Sequence, residues 1–75
     1  MQDIPKKRSL TLKGHRTSIS LEDAFWSALN DIANKQTKSI SELVEIIDET
    51  RGEAGLSSTI RIYILQYYRN QLATS

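Results

Sequence analysis

Arg16, Ser18 and Ser20 alternate along a short segment, with Thr17, Ile19 and Leu21 between them. Successive side chains of an extended chain point to opposite faces. The spacing therefore puts a guanidinium and two hydroxyls on one side and an apolar edge on the other. Ile19 and Leu21 fix which side is buried, because a one-residue slip would exchange the faces. A guanidinium on such a face can donate two parallel hydrogen bonds to guanine O6 and N7, and a serine hydroxyl can meet any base edge. Arg16 is the leading candidate for base reading and Ser18 supports it. Ser20 also precedes an apolar periodic run, where with Asp23 it forms an approximate capping box, and that role weighs more than base contact. The alternating segment runs straight into two amphipathic helices and has no evident partner in that unit. A second copy of the chain is the economical source of one, and two such strands make a ribbon that fits the DNA major groove.

The charges support a polyanion partner through their distribution, since the net charge is only +1. Residues 1–16 carry Lys6, Lys7, Arg8, Lys13 and Arg16 against Asp3 alone. Residues 17–50 carry Lys35 and Lys38 against seven acids, and the last 25 residues carry three arginines against Glu53. Lys6, Lys7 and Arg8 suit an arm that follows a phosphate backbone or enters the minor groove. Lys13 lies beside the strand, and His15 reads as exposed. The bland alternative is that terminal lysines only keep the chain soluble.

These groups need elements to position them. Residues 1–7 read as a flexible basic arm and 8–75 as a single domain. In residues 8–12, Leu10 and Leu12 share one side, and Lys13-Gly14 follows, so a hairpin is one reading and an arm ordered by a partner is the other. The first helix is expected from about Leu21 to Lys35, with Phe25, Ala28, Leu29 and Ile32 on its apolar face. Trp26 flanks that face and reads as packing. After the turn Lys35–Lys38, Ser39 and Glu42 form a stronger capping box. Ile40, Leu43, Val44, Ile46 and Ile47 follow at helical spacing, and Gly52 and Gly55 end the pattern. Residues 59–72 carry alternating isoleucines but also trace a helical face at 60, 64, 67/68 and 72. Their length favours a helix, and one this apolar needs a partner surface.

A chain of 75 residues is one domain at most. With no cysteine it has neither disulfides nor a Cys/His metal centre, so oligomerisation is the remaining common support. No run approaches the roughly 20 apolar residues of a membrane span, and no signal peptide is evident. A cytoplasmic location fits. The single His has no paired nucleophile and no phosphate-binding glycine loop is present, so neither an enzyme nor a cofactor is expected.

Strand, helix, short turn and helix between Arg16 and about Arg51 resemble the ribbon-helix-helix DNA-binding family. The string Gly14-His15-Arg16-Thr17-Ser18-Ile19-Ser20-Leu21-Glu22, the pair Phe25-Trp26 and the segment Leu56-Ser57-Ser58-Thr59-Ile60-Arg61 are similar to a bacterial subgroup with an extra C-terminal helix. The resemblance implies a mainly α homodimer with one short β-ribbon, built from one strand per chain, and intertwined helices. Arg16, Ser18 and Ser20 would face bases. Ser39, Ile40 and Ser41 at the start of the second helix would hold phosphate, with Lys38, Lys13, Lys6, Lys7 and Arg8 adding charge. Ile19, Leu21, Phe25, Trp26, Leu29, Ile32, Leu43, Val44 and Ile47 would form the dimer core. The chain departs from the family at Thr37 and Lys38, where Gly and an apolar residue are usual, and in its short outward serines. The expected role is a transcriptional repressor or regulator bound to double-stranded DNA. The alternatives are an antitoxin gripping a second protein through its C-terminal helix, and an adaptor that dimerises without binding DNA.

Overall fold

The computed structural model describes residues 3–74. Two antiparallel strands, β1 (Lys6–Leu12) and β2 (His15–Leu21), are followed by α1 (Asp23–Lys35), α2 (Ile40–Asp48) and α3 (Leu56–Thr74). The alternating strand thus has a partner within its own chain, β1, where a second copy was the expected source of one. Arg8 pairs with Ile19, Leu10 with Thr17 and Leu12 with His15. Lys13 and Gly14 close the hairpin with φ of 51° and 81°. Positive φ at both central residues is the pattern of the two-residue turn whose twist matches that of the strands. Glycine adopts it freely, whereas Lys13 bears a cost of roughly 1–2 kcal/mol. Because the strand begins at Lys6, Lys6 and Lys7 belong to the sheet and not to an arm. Met1 and Gln2, also placed in that arm, lie outside the described residues.

The inner face of the hairpin closes on the helices. Leu10, Ile19 and Leu21 join Leu29, Ile32 and Ala33 of α1, Leu43, Val44 and Ile47 of α2, and Ile60 and Ile64 of α3 in one buried cluster. Each fully buried aliphatic side chain contributes about 1.5–3 kcal/mol. Most of the residues assigned to a dimer core therefore pack within a single chain, because β1 and α3 supply the covering surface. Phe25 and Trp26 are the exceptions, half-buried at the edge of that cluster.

The helix ends differ from each other. Ser39 and Glu42 form the expected reciprocal capping box on α2, at 3.1 Å and 2.9 Å. The box expected on α1 does not form. Ser20 is still in β2, and the cap position is Glu22, without a side-chain cap bond. The Asp3 carboxylate does this work instead, accepting from Asp23 N–H at 3.1 Å and Ala24 N–H at 3.2 Å. At the other end of α1, Lys38 N–H reaches Ala33 O and Thr37 N–H reaches Asn34 O, the paired bonds of a Schellman stop. That stop places Thr37 at φ 54°.

Candidate nucleic-acid interface

Alternation sorts the hairpin into two faces with different chemistry. Arg16, Ser18 and Ser20 are all exposed, opposite the face that carries buried Ile19 and Leu21. The ladder places Thr11 across from Arg16, Ser9 across from Ser18 and Lys7 across from Ser20. These three are also exposed, so the outward face is a patch of two cations and four hydroxyls with no carboxylate. Ser9 and Thr11 were not singled out from the sequence. The signal was the same alternation that marks Leu10 and Leu12 as inward.

The other basic residues divide. Lys6 Nζ meets Asp23 Oδ2 at 2.7 Å, and Arg8 reaches Asp23 Oδ1 at 2.6 Å. Arg8 also donates to Leu21 O at 3.1 Å and lies 5.1 Å from the centre of the Trp26 ring. Its side chain is only 16% exposed. Arg8 therefore acts as an inner-face residue joining β1 to α1, in keeping with its register beside Leu10 and Leu12. The Asp23 carboxyl is held below the usual aspartate range, first by the Lys6 hydrogen bond and then by that from Arg8. At the hairpin tip, Lys13 N–H donates to Glu45 Oε2 at 2.8 Å, and its ammonium is 3.6 Å from Glu49. The tip is thereby tied to α2.

The start of α2 is a second, separate locus. Ser39 and Glu42 satisfy each other's N–H groups, while the Ile40 and Ser41 N–H groups lie ahead of the first intrahelical bond. Those two donors and the positive end of the helix dipole suit an anion. The Glu42 carboxyl is held low by the Ser39 backbone N–H, with the Ser39 hydroxyl second, so a fixed negative charge stands beside them. Lys38, half-buried, extends to Gln36 Oε1 at 3.5 Å.

The third helix carries a different surface. Phe25, Arg61, Ile62, Ile64, Leu65 and Tyr68 line an apolar groove of about 330 Å³. Ile62 and Leu65 are each 55% exposed and Leu72 is 77% exposed. Among the described residues, no group of three or more His, Cys, Asp or Glu side chains could hold a metal, and no helix is long and apolar enough to cross a membrane.

A family model described as a ribbon-helix-helix domain matches residues 5–68. An uncharacterized protein from Bordetella pertussis Tohama I is similar in structure, with a TM-score of 0.78 and 36% sequence identity. The similarity covers 93% of this chain and 60% of that one. This chain therefore spans less than two thirds of the length of that protein. Comparison with curated proteins finds no match.

Proposed function

Because the chain belongs to the ribbon-helix-helix domain family, we propose that it is a DNA-binding transcriptional regulator that lays the outward face of its hairpin in the major groove. Domains of this family are DNA-binding regulatory modules and not enzymes. One observation carries the finer reading. The polar residues of the ribbon are gathered on its exposed face, and the apolar residues that fix the register are buried beneath it. Arg16 supplies bidentate contact with a guanine, Ser18 and Ser20 supply shorter contacts, and specificity concentrates at Arg16 for that reason. Ile40 and Ser41 N–H groups, with Ser39 and Lys38 beside them, hold phosphate and set orientation without reading sequence. Lys13, more loosely engaged by Glu49 at 3.6 Å, adds charge at the hairpin tip. Arg8 and Lys6, engaged by Asp23, are not part of this surface.

The protein acts as a homodimer in this reading. Exposed Ile62, Leu65 and Leu72 support α3 as the face that a second copy covers, since such apolar area rarely stays open.

The test is fluorescence anisotropy with random-sequence duplex DNA at several salt concentrations, comparing wild type with Arg16→Ala. Binding that weakens steeply with salt, and falls in the variant, is expected. Absence of binding at low salt would instead favour an adaptor that keeps the fold without DNA.

A further inference from the structure

α3 carries apolar side chains on two sides. Ile60 and Ile64 are buried in the common core. Ile62, Leu65 and Leu72 turn away from that core, and each is more than half exposed. Their spacing, three residues and then seven, keeps them on one side of a helix, with Arg69 between Leu65 and Leu72. The groove of about 330 Å³ opens at Ile62 and Leu65, with Phe25 of α1 and Arg61, Ile64 and Tyr68 as its other walls. Leu72, the most exposed of the three aliphatic residues, stands ten residues beyond Ile62, about 15 Å at about 1.5 Å per residue. On one continuous helix it cannot enter the groove of its own chain. The charge in the groove is already matched, since Arg61 donates to Glu22 at 2.9 Å and to the Ser20 carbonyl at 3.2 Å. An apolar occupant therefore leaves no charge stranded, whereas an acidic one would compete with Glu22.

We infer that α3 pairs with the α3 of a second copy in antiparallel fashion, the Leu72 of each chain seated in the groove of the other. This inference rests on the reading that a second copy covers α3. A two-fold axis midway between Ile62 and Leu72 exchanges knob and groove, so one symmetric contact fills both grooves and buries both leucines. The groove is incomplete without the second chain. The partner's Leu72 packs against Phe25 and Ile62 and closes over Arg61, the side chain that holds the end of β2. Arg69 falls near the axis and so faces its own copy. It has no ion-pair partner among the described residues. α3 contains no acid that could supply one across the axis. A polar residue at one position of an otherwise apolar seam fixes register at a cost in stability. Two like charges meeting there hold the contact below the strength of its apolar residues alone.

Disulfide trapping in the full chain tests this, because the sequence has no cysteine. Ile62→Cys and Leu72→Cys are made as separate variants, and circular dichroism checks that each keeps the fold. Mixed and oxidised, the two should give a cross-linked dimer, since antiparallel helices bring these positions within disulfide reach. Either variant alone should run as a monomer on a non-reducing gel, its two cysteines being about 15 Å apart. Ser27→Cys, exposed on α1, mixed with either variant measures random collision. Cross-linking of each variant alone would show parallel helices and overturn the arrangement. Sedimentation supplies the second readout. Leu65→Asp should weaken self-association about 30-fold or more, as a charge placed in the centre of a contact does. Arg69→Leu should strengthen it about tenfold by removing the like charges. Self-association unchanged or weakened in Arg69→Leu would refute the register. If Leu65→Asp breaks the assembly but the mixed variants cross-link no better than the Ser27→Cys control, α3 is covered in another arrangement and only the inference fails. If Leu65→Asp leaves self-association intact, or wild type stays monomeric, the reading that a second copy covers α3 fails with it.

Discussion

Arg61 Nε donates to Glu22 Oε1 at 2.9 Å, bridging 39 residues of sequence. The same guanidinium reaches the Ser20 carbonyl and lies 5.8 Å from the centre of the Phe25 ring. One side chain of α3 thus grips the end of β2, the start of α1 and an aromatic ring. Arg61→Ala should destabilise the chain by about 1 kcal/mol, because the pair is partly solvated and exposed pairs alone contribute less. Urea unfolding measures this, and Arg61→Lys should recover only part, since it cannot reproduce the forked contact.

Acid should loosen the hairpin from α1. The Asp23 carboxyl is held low by Lys6 and then Arg8, and the Glu42 carboxyl by the Ser39 backbone and then its hydroxyl. A depressed folded-state pKa adds stability that is fully present above the unfolded value and disappears as pH falls through the folded value. Thermal midpoints should therefore decline as pH drops through and below the ordinary carboxylate range. Asp23→Asn and Glu42→Gln should each flatten that decline. An unchanged pH slope in the double variant would exclude these carboxyls as its source.

Thr37 sits in the left-handed region at φ 54°, with a β-branched side chain. Its hydroxyl donates to Gln36 O at 2.6 Å, so the position is held by local bonding against its own preference. Thr37→Gly should stabilise the protein by about 1 kcal/mol, read as a higher urea midpoint at constant slope. The left-handed stop between the helices would then carry the residue that adopts it most easily.

A charge on the inner hairpin face should be far more damaging than one on the outer face. Ile19 is 3% exposed, in contact with the common core. Ile19→Lys should remove the folded state itself, beyond any effect on self-association, since an unpaired buried charge costs several kcal/mol. Ser18→Lys, one residue away and outward, should change stability by less than about 0.5 kcal/mol. Far-ultraviolet circular dichroism of the two variants settles the register, and the opposite pattern would show it to be shifted by one.

The elements legible in the sequence were those with strong local signals. β2 followed from its alternation, α2 from the Ser39–Glu42 box, and α3 from its length and face, although its isoleucines also suited a strand. What escaped depended on distant partners. Asp3 caps α1 from 20 residues away, which no capping pattern records. Arg8 looked like one of three arm cations, yet its parity with Leu10 and Leu12 placed it inward, beside Trp26 and Asp23. The pairing of β1 with β2 was weakly marked because Lys13-Gly14 is a poor turn signal, and Lys13 is held there partly by α2. Among the candidate site residues, Arg16, Ser18 and Ser20 were readable because outwardness is a property of alternation. The fixed charge of Glu42 beside the proposed phosphate donors was likewise visible, as the same side chain completes the cap.

The hairpin occupies one uninterrupted stretch of 16 residues, closed by a two-residue turn, with odd and even positions serving opposite faces. Inheritance can act on the two faces independently. Exposed Lys7, Ser9, Thr11, Arg16, Ser18 and Ser20 can change while buried Leu10, Ile19 and Leu21 keep the scaffold intact. The chemistry of the exposed face is thus an adjustable trait of an otherwise constant scaffold.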